Sequence, residues 1–221
     1  MKTILCYGDS NTWGAIPGTA ACKFAPDVRW TGVLQARLGP DFRVAEAGLY
    51  GRTTMWDDPW EPWCNGLETL IPTMMMNSPL DLVVLMLGTN DLKTHSAWES
   101  AKSCRTLIRM IQGQPALFAD GMPQVLLVSP PRIVRPLSAT FAEPGARDVA
   151  AESEQFGVYY IQYAQEAGVP CFDAASVAVP APAGAVIEGG GTGDGVHLTA
   201  AGHRALGEAI AAQVCAPFPA F

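Results

Sequence analysis

Short apolar runs alternate with helical patterns along the whole chain. Thr3–Tyr7, Phe42–Ala47, Leu82–Leu87, Val125–Val128 and Val169–Phe172 read as strands. Several are continuously apolar rather than alternating, the pattern of parallel strands covered on both faces. Ser96 to Gln112 reads as a helix with Ala97, Ala101, Cys104, Ile108 and Ile111 on one face, and Ser96 with Glu99 forms a capping-box start. A second helix is predicted over 146–167, with Val149, Phe156, Tyr160 and Tyr163 at helical spacing. A third runs over 199–214, with Thr199 as its N-cap. This alternation predicts an α/β fold: a three-layer α/β/α sandwich around a flavodoxin-like five-stranded parallel sheet, in a single domain spanning residues 1–221. The Ala-, Pro- and Gly-rich stretch 174–195 is too long for a tight connection and reads as a mobile lid or a disordered loop.

Charge narrows the partners. Only 16% of the 221 residues are charged, and the net charge is −7, whereas an ordinary globular chain carries about 25%. An acidic chain without basic blocks is poorly suited to phosphate backbones or anionic membranes. The opening Met1–Gly8 reads as a strand rather than a leader, and the strongly apolar run Leu82–Leu87 is far too short to cross a bilayer. The expectation is a soluble cytoplasmic protein with no nucleic-acid or membrane partner. Cys6, Cys22, Cys64, Cys104, Cys171 and Cys215 are widely separated and form no CxxC pair. In a reducing compartment they read as free, mostly buried thiols.

In parallel sheets of this kind ligands bind beyond the carboxyl ends of the strands. Gly8-Asp9-Ser10-Asn11-Thr12 follows the first strand, Gly48–Thr53 the second, Gly88-Thr89-Asn90-Asp91 the third, and Asp194-Gly195-Val196-His197 lies beyond the fifth. Together they hold a hydroxyl, an imidazole, a carboxylate and several hydrogen-bond donors, the inventory of nucleophilic acyl transfer. A serine needs a neighbouring base to remove its proton, and an imidazole with an ordinary pKa near 6.5 suits that task. Asp194, three residues before His197, is placed to fix the imidazole's tautomer. Attack on an ester carbonyl creates an oxyanion; the backbone N–H groups of Ser10 and Gly51 and the amide of Asn90 are the candidate donors. No GxGxxG follows the first strand, and neither GxxxxGK, HExxH nor GxSxG occurs. No cofactor and no metal is therefore expected.

These blocks make the chain resemble the SGNH (GDSL-type) hydrolase superfamily: GDS at Gly8–Ser10, the glycine at Gly51, GTND at Gly88–Asp91 and DGVH at Asp194–His197, in that order. The resemblance implies Ser10 as nucleophile, His197 as base, Asp194 as its partner, and Ser10, Gly51 and Asn90 as the oxyanion hole. FAPDVRWTGVL at Phe24–Leu34, GLYGRTT from Gly48, LDLVVLMLGTND at Leu80–Asp91 and VSPP ending at Pro131 look like the arylesterase and acyltransferase (perhydrolase-like) branch. That likeness implies a serine esterase acting on short-chain and aryl esters through an acyl-enzyme, with acyl transfer to alcohols or peroxide. Carbohydrate deacetylase and thioesterase activities share the same blocks, and a non-catalytic flavodoxin-like binding module is the alternative outside enzymes. Asn11 stands where these proteins carry Leu, which concerns the outer wall of the site. Arg52 replaces an acidic residue common elsewhere in the superfamily, and no role for it follows from the sequence.

Asn11, Trp13, Trp56 and Val196 are the expected substrate-contacting residues, while the Trp56–Trp60–Trp63 cluster either packs locally under its Pro-rich turns or, with Trp13, walls the pocket or faces a second subunit. Asp9 and Asp91 are expected to hold their loops by hydrogen bonds, Arg132 and Arg135 to make salt bridges, and His95 and His203 to be solvated. Low charge beside a Trp-rich loop predicts an apolar surface and a homo-oligomer, dimer-based and up to an octamer. The other partner is a small-molecule ester.

Overall fold

The computed structural model describes residues 1–221 except 21, 59–60, 119–120, 136, 138–140, 142–146 and 216–221. Five parallel strands, β1 (Lys2–Gly8), β2 (Phe42–Gly48), β3 (Leu82–Met86), β4 (Gln124–Ser129) and β5 (Cys171–Asp173), form one sheet in the order β2-β1-β3-β4-β5. This is the flavodoxin-like order. The helices are α1 (Ser10–Trp13), α2 (Trp30–Leu38), α3 (Gly66–Asn77), α4 (Ala97–Gln112), α5 (Val149–Ser153), α6 (Phe156–Ala167) and α7 (Ala200–Cys215).

Residues of β3 alternate between two cores. Val83 and Leu85 join Leu5, Tyr7, Val125 and Leu127 against Leu70, Met74, Cys104, Ile108, Phe156 and Tyr160, which come from α3, α4 and α6. Leu82, Val84 and Met86 face the other way, with Ile4, Cys6, Leu126 and Val128, onto Trp30 and Leu34 of α2 and Leu206 and Ile210 of α7. Burial on both faces is why this strand is apolar throughout instead of alternating. The result is the expected three-layer α/β/α arrangement.

The capping box of α4 is present: Ser96 Oγ accepts the Glu99 N–H at 3.2 Å, and the Glu99 carboxylate accepts the Ser96 N–H at 2.7 Å. Thr199 Oγ1 accepts from Gly202 N at 3.2 Å at the start of α7. The helix predicted over 146–167 is instead two, α5 and α6; Ala146 lies outside the described residues. At the join the turn tightens, Gln155 N donating to Glu152 O at 3.0 Å, while the Ser153 hydroxyl bonds the Ala150 carbonyl at 2.7 Å and accepts the Ile133 N–H at 2.8 Å.

Stretch 174–195 is folded rather than a disordered loop. Val186 pairs antiparallel with Thr192, Gly193 N donates to Ala185 O at 2.8 Å, and Gly195 N donates to Ala181 O at 2.8 Å. Gly193 makes this compact hairpin possible, since a Cβ there would sit 2.4 Å from the Pro182 carbonyl. All six cysteines are free; Cys6, Cys64 and Cys104 are buried, whereas Cys22 and Cys215 are exposed. Among the described residues no helix is long and apolar enough to cross a membrane.

Candidate active site

Ser10 opens α1 directly beyond β1. Asp9 caps that helix, its Oδ1 accepting the Asn11 N–H at 2.9 Å, so the turn presents Ser10 at the carboxyl edge of the sheet. His197 approaches from the other end of the chain. Its Nε2 lies 2.9 Å from Ser10 Oγ, and its Nδ1 lies 2.6 Å from Asp194 Oδ2. With Nδ1–H donating to the carboxylate, Nε2 is left to accept the serine proton.

Asp194 is fully engaged. Oδ1 accepts the N–H groups of Val196 at 2.9 Å and His197 at 2.8 Å, while Oδ2 also accepts the Gly18 N–H at 3.1 Å. Burial alone would raise its pKa, but the hydrogen bond and charge of His197, with the two backbone N–H groups, outweigh it and hold the carboxyl well below the usual range. An anionic Asp194 therefore faces the imidazole.

The block after β2 is anchored by Arg52. Its buried guanidinium donates to the Gly8 carbonyl at 2.9 Å and to the Ala47 carbonyl, and it lies 4.1 Å from the Tyr7 ring centroid. The residue without an assigned role in the sequence thus ties together the ends of β1 and β2. Arg52's carbonyl accepts the Asn90 amide at 3.0 Å, leaving the second N–H of that amide for another acceptor. Gly51, at φ +78°, is in the left-handed region that favours glycine. Among the described residues the N–H groups of Ser10 and Gly51 have no hydrogen-bond partner.

Asp91 is completely buried below this rim. Its oxygens accept the Thr54 N–H at 2.8 Å and the Thr54 hydroxyl at 2.5 Å, so it holds the second and third blocks together. Desolvation pushes its pKa up to about 7, against the Thr54 hydrogen bonds that lower it. Burial likewise raises the Asp9 carboxyl. The Tyr160 hydroxyl donates to Leu87 O at 2.5 Å and steadies the turn into Gly88.

Four expectations change. Asn11 is not on the outer wall: it is 1% exposed, its amide donates to Val196 O at 3.3 Å and its Oδ1 accepts the Leu198 N–H at 3.0 Å. It fastens the serine turn to the histidine loop, and Val196 is likewise buried, in the core against α3, α4 and α6. His203 is not solvated. It is fully buried, its Nδ1 accepts the Trp30 N–H at 3.3 Å at the start of α2, and desolvation lowers its pKa to about 3. Arg135 pairs with Asp148 as expected, whereas Arg132 makes no ion pair among the described residues.

Trp13 and Trp56 are half-buried. Trp56 stacks on His95 with centroids 4.0 Å apart. Trp60 lies outside the described residues, and Trp63 is exposed. Tyr50, which sequence reasoning passed over, has its ring centroid 5.7 Å from that of His197. Its place beside Gly51 was the available signal. Among the described residues no three His, Cys, Asp or Glu side chains cluster as a metal site.

A family model described as GDSL-like lipase/acylhydrolase matches residues 6–205. The chain belongs to that family. Among solved structures, the GDSL-like chain is similar to the aryl esterase of M. smegmatis, with 38% identity, 97% of this chain and 98% of that one covered, and a TM-score of 0.83. It is also similar to a carbohydrate acetylesterase from Sinorhizobium meliloti, with 32% identity, 97% and 98% covered, and a TM-score of 0.84. No curated protein matches it in sequence.

Proposed function

We propose that this GDSL-like hydrolase is a serine esterase cleaving short-chain and aryl carboxylic esters through an acyl-enzyme. The observation that carries the reading is the hydrogen-bonded series from Ser10 Oγ through His197 to Asp194 Oδ2. Ser10 Oγ attacks the ester carbonyl while His197 Nε2 takes its proton. The N–H groups of Ser10 and Gly51 and the free N–H of Asn90 stabilise the oxyanion. Collapse expels the alcohol, which receives the proton back from His197. Water, activated by the same imidazole, then releases the acid. Alcohols or peroxide in place of water would give acyl transfer as a secondary activity.

Hydrolysis of p-nitrophenyl acetate by the wild type, lost in Ser10→Ala, is the expected result; equal rates in the two would overturn the assignment. Ester formation from vinyl acetate and an alcohol in water tests the transfer step, and hydrolysis alone would remove it. Similarity to the Sinorhizobium enzyme favours a second reading, deacetylation of carbohydrates. A kcat/KM higher on sugar acetates than on phenyl acetate would select that reading.

A further inference from the structure

Tyr50 and Trp13 form an aromatic row that begins at the imidazole. The Tyr50 ring is tilted 31° to that of His197 at 5.7 Å, and Trp13 meets Tyr50 edge to face at 5.9 Å and 85°. Lys23 Nζ lies 5.1 Å from the Trp13 centroid and ends the row toward solvent. Tyr50 is 37% exposed although it touches a buried histidine. A tyrosine serving only to fill the core would be more deeply buried, so this ring offers apolar surface at the site itself.

The chemistry says which half of the ester meets that surface. On the esterase reading above, on which this inference rests, His197 Nε2 hands its proton to the departing alkoxide. The alcohol half must therefore sit beside the imidazole when the tetrahedral intermediate collapses. The Tyr50 ring is also beside the imidazole. Across Gly51 the space is already taken: a Cβ there would lie 2.4 Å from the Glu61 carboxylate and 3.1 Å from the Cys64 sulfur. Burial, with the negative charges of Asp194 and Glu61, raises the Tyr50 phenol pKa, so the ring stays neutral at working pH.

We infer that Tyr50, backed by Trp13, is the specificity-determining wall of the alcohol-side subsite and selects aromatic leaving groups by ring contact. Contacts of this type contribute enough to discriminate about threefold to tenfold.

The test compares kcat/KM for phenyl acetate and ethyl acetate, which share one acyl group, in the wild type, Tyr50→Ala, Tyr50→Leu and Tyr50→Phe. The phenyl-to-ethyl ratio is expected to fall about threefold to tenfold in the Ala and Leu variants and to persist in Phe. The ratio for ethyl butyrate over ethyl acetate should not follow it, because the acyl half lies elsewhere. If Tyr50→Ala does not fold, Tyr50→Leu carries the comparison with most of the side-chain volume kept. Both ester rates falling together, with the phenyl-to-ethyl ratio intact, would overturn the assignment and mark Tyr50 as merely structural. A shift in the acyl-chain ratio instead would also overturn it. Turnover of neither ester by the wild type would refute the esterase reading along with it, an outcome distinct from an unchanged ratio.

Discussion

Arg52 holds Asn90 through its backbone and the sheet through its side chain. Its carbonyl oxygen accepts the Asn90 amide at 3.0 Å, while its guanidinium spans the carbonyls of Gly8 and Ala47. Asn90→Ala is expected to lower kcat by about 10²–10³, the usual consequence of losing one oxyanion donor. An unchanged kcat would remove Asn90 from that role.

Arg52→Ala should lower stability as well as kcat. It removes the charged donor that bonds the Gly8 and Ala47 carbonyls, and a hydrogen bond from a charged group is worth about 1.5–3 kcal/mol. Arg52→Lys restores a donor without the planar fork, so its kcat and melting temperature should fall between those of wild type and Arg52→Ala. Equal losses in Lys and Ala would mean that donor geometry, and not donor presence, holds the rim.

Asp194→Asn keeps the shape of the carboxylate and loses its charge. By the serine-protease pattern kcat should drop by about 10⁴, because the imidazole loses the anion that fixes its tautomer. The carboxyl's pKa is held below the ordinary aspartate value. Its stabilising contribution is therefore fully present above the unfolded pKa, near 3.9, and is lost only as pH falls through the lower folded value. Urea titrations of wild type and Asp194→Asn should show a stability gap that does not close between pH 7 and 5. A gap that closes already at pH 6 would contradict this.

His203 and Asp91 give opposite pH dependences. Folded His203 titrates at about 3, below an unfolded imidazole. Between those values the unfolded chain holds the extra proton, so stability falls as pH drops, by at most about 1.4 kcal/mol per unit. Folded Asp91 titrates at about 7, above an unfolded carboxyl, so its contribution grows as pH falls from 7 toward 4 and is lost again as pH rises through 7. Against wild type, His203→Asn should flatten the acid loss, since its Oδ1 can still accept the Trp30 N–H. Asp91→Asn should steepen that loss. Denaturant midpoints at pH 7, 5.5 and 4 read both effects; parallel profiles for all three proteins would rule them out.

Sedimentation at micromolar concentration should find a homo-oligomer. That proposal rests on the low charge of the chain, and Trp63, Met76, Val158 and Val186 are each more than 60% exposed. A monomer would end that proposal.

The strands and the polar blocks that follow them were legible in the sequence because each depends on local pattern. Continuous apolar runs mark strands buried on two faces, and a polar block follows each relevant one. What stayed hidden depends on partners far along the chain. His203 looks like a surface residue on its helix until α2 packs over it and offers the Trp30 N–H. Asn11 looks like a wall residue until residues 196–198 arrive to occupy both of its polar atoms. Arg52 has no legible purpose until two parallel strands end beside it.

The fastening of Asn11 to Val196 and Leu198 has a consequence for biosynthesis. Ser10 and His197 are 187 residues apart in sequence, and the Asn11 bonds to Val196 and Leu198 span 185 and 187 residues. A ribosome completes β1 through β5 before it has made His197. Contacts of such long range form late in folding. A nascent chain thus carries Ser10 without the imidazole it meets in the folded protein until every strand of the sheet has been synthesised.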